Sequence, residues 1–224
     1  MQSTGPRQVL ETPRAAGLAG VVFALLLAAA IVLIRLGIPQ GAAAVTPRGL
    51  TDSTQRSALR AALALIPFAG IFFLWFVGAI RAHVGDAEDK FFATVFLGSG
   101  LVFVATMYGA AAAAAAVLAT GDSSGSVPVL PTWDFGRHFA YTLMIGYAMR
   151  MAAVFTCSMS VMGHRLKVMP RWLTLLGFLT TLTLLFVSTR LPWSELVFPA
   201  WSLIVGAHIL AAGRRPRPGS ATAP

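Results

Sequence analysis

Long apolar runs separated by short polar segments dominate this sequence. Each run has roughly twenty residues, the length of α-helix needed to cross a hydrocarbon core of about 30 Å. Because lipid offers the backbone no hydrogen-bond partner, runs of this length are expected to be helical. The pattern therefore predicts an all-α fold, a polytopic transmembrane helical bundle with six membrane-spanning helices. The predicted helices are residues 17–37, 59–82, 91–119, 137–163, 172–188 and 193–212.

The ends of the chain do not follow this pattern. Residues 1–16 are polar and predict a disordered tail, and residues 213–224 predict a basic disordered tail. Ala42-Ala43-Ala44, after the first run, resembles a signal-peptidase site. The first run is longer than the about 7–15 apolar residues of a cleaved signal, so it is interpreted as a retained helix.

The composition agrees with a membrane protein, since 57% of the residues are hydrophobic and 11% are charged. Soluble domains have about 25% charged residues. The net charge of +9 would suit a nucleic-acid partner, but the basic residues lie at the ends of apolar runs instead of on one face. They are interpreted as topology signals and as contacts with anionic lipids at the cytoplasmic face, and no nucleic-acid partner is predicted. More of them lie on the side that holds both termini, which predicts cytoplasmic termini.

Two prolines and an alanine-rich stretch indicate how the helices pack. Pro67 and Pro199 lie inside predicted helices and predict kinks. Residues 109–116 are almost all alanine, and small residues let a neighbouring backbone approach closely. This half of the predicted helix 91–119 is therefore expected to be buried against another helix, a second copy of the chain or a membrane partner.

Arg150 lies near the midpoint of the predicted fourth helix. A charge at that depth costs about 2.5–3.5 kcal/mol on insertion scales, so Arg150 is expected to face the bundle interior. No apolar run has an Asp or Glu at its centre, and Glu195 lies near the end of the last run. Two interpretations stay open. Arg150 is either an anion site, for a substrate, a lipid headgroup or a partner's carboxylate, or a structural arginine that reaches toward the surface or bonds to backbone carbonyls.

Polar residues near the same depth extend this candidate site. Tyr147 lies on the same side of the helix as Arg150. Counting along the other predicted helices places Thr106, Tyr108, Thr180, Thr181 and Ser202 at a similar depth. The predicted binding residues are Arg150, Tyr147, Tyr108, Thr180 and Thr181.

Two serine patterns raise an enzymatic alternative. Residues 121–125, GDSSG, fit the G-x-S-x-G motif of hydrolases, but that motif requires a strand-to-helix turn and here lies between membrane helices. Ser99, between two glycines, and His208 superficially resemble the serine and histidine of rhomboid proteases. In rhomboids these residues lie on the fourth and sixth helices, whereas Ser99 is on the third. An intramembrane serine hydrolase built on Ser99 and His208 is therefore the weakest alternative, and no catalytic residue is predicted.

Metal and cofactor signatures are missing from the sequence. Asp86, Glu88 and Asp89, in a turn at the membrane surface, are better explained as helix-capping and solvated charges than as a cation site. The four histidines have no metal-ligand spacing. Cys157 is the one cysteine and lies inside an apolar run. No metal and no cofactor is predicted.

Two segments resemble uncharacterised multi-pass proteins of high-GC bacteria. They are FLWFVGAIRAHVGDAEDKFFATVFLGSGLVFVA, residues 73–105, and HRLKVMPRWL, residues 164–173. The resemblance implies a multi-pass protein of the bacterial inner (plasma) membrane and implies no activity. The leading hypothesis is a non-enzymatic protein. It is either a small transporter-like or anion- or lipid-binding bundle centred on Arg150, or a structural or accessory membrane subunit.

Overall fold

The computed structural model of the protein describes residues 12–37, 53–84, 90–123, 130–188, 191 and 193–212. Within these residues the chain is helical and has no β-strand. The first three helices are α1 (Thr12–Gly37), α2 (Ser53–Val84) and α3 (Lys90–Ser123). α4 has two α-helical segments, Leu130–Tyr141 and Met149–Arg165, joined by the π-helical stretch Thr142–Ala148. α5 is Arg171–Leu182 followed by π-helical Thr183–Val187, and α6 is a 3₁₀ turn, Ser194–Leu196, followed by Val197–Ala212.

Five of these six helices are long and apolar enough to cross a membrane. α5 is shorter and lies at the lower limit of about 17 residues for a crossing. It packs on α4, where the Thr181 hydroxyl lies 3.4 Å from the carbonyl oxygen of Ala153. The predicted all-α, membrane-type helical bundle is confirmed.

Several helices extend beyond their predicted limits. α1 begins at Thr12, inside the predicted disordered tail, α3 runs to Ser123, and α4 begins at Leu130. An apolar run marks only the part of a helix that suits hydrocarbon, and polar residues can continue the helix into the interface. Hydropathy alone therefore placed these ends too far inside.

The two prolines occupy different positions in their helices. α2 continues through Pro67, whose carbonyl oxygen accepts a hydrogen bond from the Tyr108 hydroxyl of α3 at 3.1 Å. Pro199 lies in the first α-helical turn of α6, directly after the 3₁₀ turn. Its missing N–H costs little there. Pro199 therefore stands at the start of the α-helix and not in its interior, where the sequence predicted a kink.

α1 and α6 approach each other backbone to backbone. A Cβ atom added to Gly206 would lie 2.9 Å from both the carbonyl oxygen of Gly17 and the backbone nitrogen of Val21. Close approach of this kind requires glycine, because any side chain would hold the two helices apart. The contact between α1 and α6 therefore depends on Gly17 and Gly206.

Phenylalanines from five helices fill the centre of the bundle. Phe73 of α2 lies among them, with ring-centroid distances of 4.6 Å to Phe23, 5.1 Å to Phe103 and 4.9 Å to Phe155. Phe198 of α6 completes the group at 5.2 Å from Phe103. All five rings are almost completely buried. These tilted and edge-on contacts are specific packing arrangements, and we refer to the five residues as the phenylalanine core.

The alanine-rich part of α3 is buried on one side only. Ala110 and Ala114 are buried, whereas Ala112 and Ala115 are exposed. The buried side lines an apolar cavity of about 20 Å³ together with residues of α1, α2 and α4. Packing of this stretch against neighbouring helices is confirmed for that side. Contact with a second copy or another protein stays a prediction.

Candidate functional site on the exposed face of α4

Arg150 lies on the outside of the bundle. Its side chain is exposed, whereas Met149, Ala152 and Ala153 beside it are fully buried. The expectation that Arg150 faces the bundle interior is therefore wrong. The interior is occupied by the phenylalanine core, and α4 turns small residues and Phe155, not its arginine, toward the other helices.

The depth of Arg150 makes this exposure unusual. It lies at the midpoint of the 32-residue apolar span Asp134–Arg165. At 1.5 Å per residue, each end of the span is on the order of 22 Å away along the helix, well beyond the reach of an arginine side chain. The guanidinium therefore lies at the middle of a candidate membrane span, on a surface that the other described helices leave exposed.

Arg150 bonds only to its own helix within the part of the chain that the structure describes. Its Nη1 donates to the carbonyl oxygen of Gly146. Gly146 belongs to the π-helical stretch, at whose end the N–H of Met149 bonds to the carbonyl of Met144, five residues earlier. Such turns displace carbonyls from the regular α-helical pattern and recur at functional sites. A carbonyl solvates the guanidinium but does not neutralise its charge.

Of the four residues that the sequence grouped with Arg150, Tyr147 shares its exposed face and is 57% exposed. Tyr108 directs its hydroxyl to Pro67 of α2. Thr180 is buried, and the Thr181 hydroxyl donates to the carbonyl oxygen of Gly177 at 2.9 Å. Tyr108 and Thr181 therefore use their hydroxyls in helix packing instead of contacting the guanidinium. A binding role for these residues stays a prediction.

A continuous strip of α4 is only partly covered by the other described helices. Its members are exposed or half-buried, and they recur at intervals of three and four residues: Tyr147, Arg150, Val154, Cys157 and Val161. The residues between them are buried, apart from half-buried Met151. We call this strip the exposed face of α4. Its spacing is the one with which a helix contacts another helix along its length.

A second arginine has an ion-pair partner that the sequence analysis missed. Nη2 of Arg35, in the last turn of α1, lies 2.6 Å from Oε1 of Glu195, and the two side chains are 9% and 0% exposed. The ring of Trp193 covers the guanidinium at 5.2 Å from its centroid. The sequence shows only that Arg35 and Glu195 have opposite charges and lie at the ends of two apolar runs. This signal does not predict their pairing, because no pattern in the sequence shows that α1 and α6 are neighbours.

Ser99 and His208 have separate surroundings. Ser99 is buried and donates to the carbonyl oxygen of Phe96 in its own helix at 3.1 Å. The His208 ring lies edge-on to Trp172 of α5, at 6.4 Å between ring centroids. No hydrogen bond joins Ser99 to His208 in the described part of the chain. The geometry gives no support to an intramembrane serine hydrolase.

The remaining sequence candidates add no further site within the part of the chain that the structure describes. Asp86, Glu88 and Asp89, and the end of the GDSSG segment, lie outside the described residues. Within the ranges given above, no group of three or more His, Cys, Asp or Glu is placed to hold a metal ion. The cavity beside α3, at about 20 Å³, has room for about one water molecule and not for a larger ligand. Among the described residues, the exposed face of α4 is therefore the strongest candidate site.

No protein-family model matches the chain, and neither the curated proteins nor the solved structures include a significant match to it.

Proposed function

We propose that the protein is an accessory subunit of a membrane assembly and binds a membrane-embedded partner through the exposed face of α4. The observation that carries this proposal is Arg150, an outward-facing cation at the midpoint of a candidate membrane span, whose described hydrogen bond goes to Gly146 of its own helix. A charge in hydrocarbon is costly, and intramembrane charges commonly mark functional contacts. An anionic group on a partner lowers that cost.

The phenylalanine core favours this role over a transporter-like one. Substrate sites of transporters lie near the bilayer midplane between helices and have polar walls or unwound backbone. Here the rings of five helices fill the centre, and Phe73 contacts three others within about 5 Å. The midplane cation points away from that centre. An accessory role uses both features, because a closed core gives a stable bundle and an exterior cation gives it an attachment point.

The location and the other contacts belong to the same proposal. The bias of basic residues and the resemblance to multi-pass proteins of high-GC bacteria support a bacterial inner membrane with cytoplasmic termini. Exposed Lys167 and Arg171, on the predicted cytoplasmic side, suit anionic lipid headgroups. The exposed alanines of α3 offer a second, uncharged surface for a copy of the chain or a partner.

Site-specific photo-crosslinking in native membranes tests the proposal. A benzophenone amino acid replaces Tyr147 on the exposed face of α4, or Phe68 on α2 as the matched control. Both native side chains are aromatic and 57% exposed, and both lie near the middle of their spans. We expect a protein adduct of defined mass from position 147, none from position 68, and loss of the adduct when Arg150→Gln is added. Lipid adducts alone at both positions, unchanged by Arg150→Gln, would contradict a partner-binding role.

A further inference from the structure

The charge and depth of Arg150 limit which chemical groups a partner can place beside it. We propose that the exposed face of α4 binds a transmembrane helix of another protein that carries an aspartate or glutamate at mid-membrane depth. This inference rests on the proposed function and adds the chemical class of the partner. A carboxylate is the side chain that neutralises a guanidinium while accepting two parallel hydrogen bonds from it.

A second copy of this chain does not supply such a carboxylate. The sequence has eight Asp and Glu residues, and none of them lies near the middle of an apolar run: Glu11, Asp52, Asp86, Glu88, Asp89, Asp122, Asp134 and Glu195. Glu195 is fully buried against Arg35. Two copies that met through the exposed face of α4 would instead bring two Arg150 side chains together, and like charges in low dielectric repel strongly. The occupant is therefore a different protein.

A lipid headgroup fits this position less well than a helix does. Phosphates lie at the edge of the hydrocarbon core, on the order of 15 Å from its centre. Arg150 is at the midpoint of its span and bonds to Gly146, one turn toward the Asp134 end of α4. Reaching a phosphate would require the bilayer to thin locally around α4. A carboxylate on a neighbouring helix reaches the same guanidinium without this distortion.

The shape of the exposed face also suits a helix. Between Arg150 and the Arg165 end of α4, the exposed face presents Val154, Cys157 and Val161, which are half-buried and of moderate size. None of these side chains is long, so a second helix can pack along them over several turns. On the other side of Arg150, the exposed Tyr147 carries a hydroxyl that can donate to the same carboxylate. A helix that follows the face therefore meets one cation, one hydroxyl and a smooth apolar strip.

The native cysteine provides a reporter for this contact. Cys157 is the one cysteine of the chain and lies two helical turns from Arg150 on the same face. The full-length protein is reconstituted in phosphatidylcholine vesicles with a synthetic Leu/Ala transmembrane peptide of about 24 residues. The peptide has Asp at its centre and a cysteine two turns away, on the same side of the helix. Matched peptides have Leu in place of Asp, or the cysteine on the opposite side. Disulfide-linked product is measured after mild oxidation.

We expect the Asp peptide to give roughly three- to tenfold more linked product than the Leu peptide, a range set by the strength of polar contacts between membrane helices. Arg150→Lys should keep most of this preference, and Arg150→Gln should remove it. Moving the peptide cysteine to the opposite side should reduce the product as well. Folding of each variant is checked by its elution as a single species in detergent.

Equal linking of the Asp and Leu peptides, or a preference that survives Arg150→Gln, would overturn the acidic-helix proposal. So would loss of the preference in vesicles that contain phosphatidylglycerol, if that lipid then co-purifies with the wild type and not with Arg150→Gln. In that case Arg150 binds a lipid phosphate. A crosslinked protein at position 147 in native membranes, together with no preference for Asp, would leave the accessory role standing and remove only the acidic partner.

Discussion

Arg35 and Arg150 show two ways in which this bundle holds a charge within its helices. Arg35 is nearly buried, pairs with Glu195 at 2.6 Å and lies beneath the ring of Trp193. Arg150 is exposed at the midpoint of its span and bonds to a carbonyl of its own helix. The chain supplies a counter-charge for the first and none, among the described residues, for the second. Arg35 therefore serves the fold, and the missing counter-charge is the basis of the proposal that Arg150 serves a contact outside it.

Breaking the Arg35–Glu195 pair should have the largest effect on stability. Removing one partner of a buried pair costs about 3–5 kcal/mol, because the remaining charge stays buried without compensation. We expect Arg35→Leu to destabilise more than Glu195→Leu, since Glu195 is fully buried whereas Arg35 retains 9% exposure. The measurement is the free energy of unfolding in mixed micelles titrated with a denaturing detergent.

The double variant Arg35→Leu/Glu195→Leu distinguishes the effect of an unpaired buried charge from the effect of altered packing. Two apolar residues leave no buried charge, so stability should recover most of the loss. The control is Asp134→Ala, which breaks the ion pair of Asp134 with Arg137 at 2.8 Å. Asp134 is 55% exposed, and an exposed pair is worth at most about 1 kcal/mol. A double variant as unstable as the worse single variant would show that the pair's charges are not the cause.

Disturbing the close contact between α1 and α6, which brings Arg35 toward Glu195, should have the next largest effect on stability. Gly206→Ala places a Cβ 2.9 Å from backbone atoms of Gly17 and Val21, which cannot rotate away. We expect a loss of about 1–3 kcal/mol, the usual range for overpacking. Gly98→Ala is the matched control, because no atom lies within 4 Å of the added Cβ. It should be neutral or stabilising by up to about 1 kcal/mol through higher helix propensity. Equal losses for the two variants would mean that the α1–α6 contact is not tight.

The aromatic cover of Arg35 should contribute less. Trp193→Leu removes the ring above the guanidinium and keeps an apolar side chain. We expect a loss of about 0.5–1 kcal/mol, because Trp193 is itself 44% exposed and cation–π contacts at exposed sites are weak. The effect should disappear when Trp193→Leu is made in the Arg35→Leu background. An undiminished effect there would assign the role of Trp193 to packing or to its left-handed backbone, where φ is 71°.

Arg150→Leu should have the smallest effect on the isolated protein. It removes one hydrogen bond within α4, which is worth about 0.5–1.5 kcal/mol, and it also removes a charge from lipid. The charge is exposed to apolar surroundings both in the folded bundle and in the detergent-unfolded chain, so its insertion cost largely cancels. The lost hydrogen bond is exposed, and the free energy of unfolding should therefore fall by only about 0.5 kcal/mol, the low end of the range for a hydrogen bond. A loss as large as that of Arg35→Leu would mean that Arg150 is structural, and the comparison between the two arginines would fail.

The helices could be predicted because each is specified by its own apolar run. A run such as residues 17–37 specifies a membrane helix without reference to the rest of the chain. The ends of the helices and their π-helical and 3₁₀ segments were harder to predict. The π-helical stretch Thr142–Ala148 and the 3₁₀ turn before Pro199 depend on how neighbouring helices pack, which hydropathy does not record.

The candidate site could be predicted in part. The charge and depth of Arg150 singled it out, but the direction of its side chain depends on the angular position of α4 among its neighbours. That angle follows from where the large side chains pack, with Phe155 against Phe73 and Phe96. The Arg35–Glu195 pair was missed for a related reason, since its partners are 160 positions apart along the chain. Pairing between distant helices requires a tertiary arrangement that no local pattern contains.

The close packing of α1 against α6 has a consequence for how the protein is made. During synthesis α1 is made long before Gly206 and Glu195 leave the ribosome. Until then Gly17 of α1 has no helix packed against it from α6, and Arg35 has no counter-charge from α6. α1 can pack against α2 by then, but the side of α1 that faces α6 stays open until α6 arrives. The bundle closes only at that late step, so a nascent chain stalled before α6 should remain open along the side of α1.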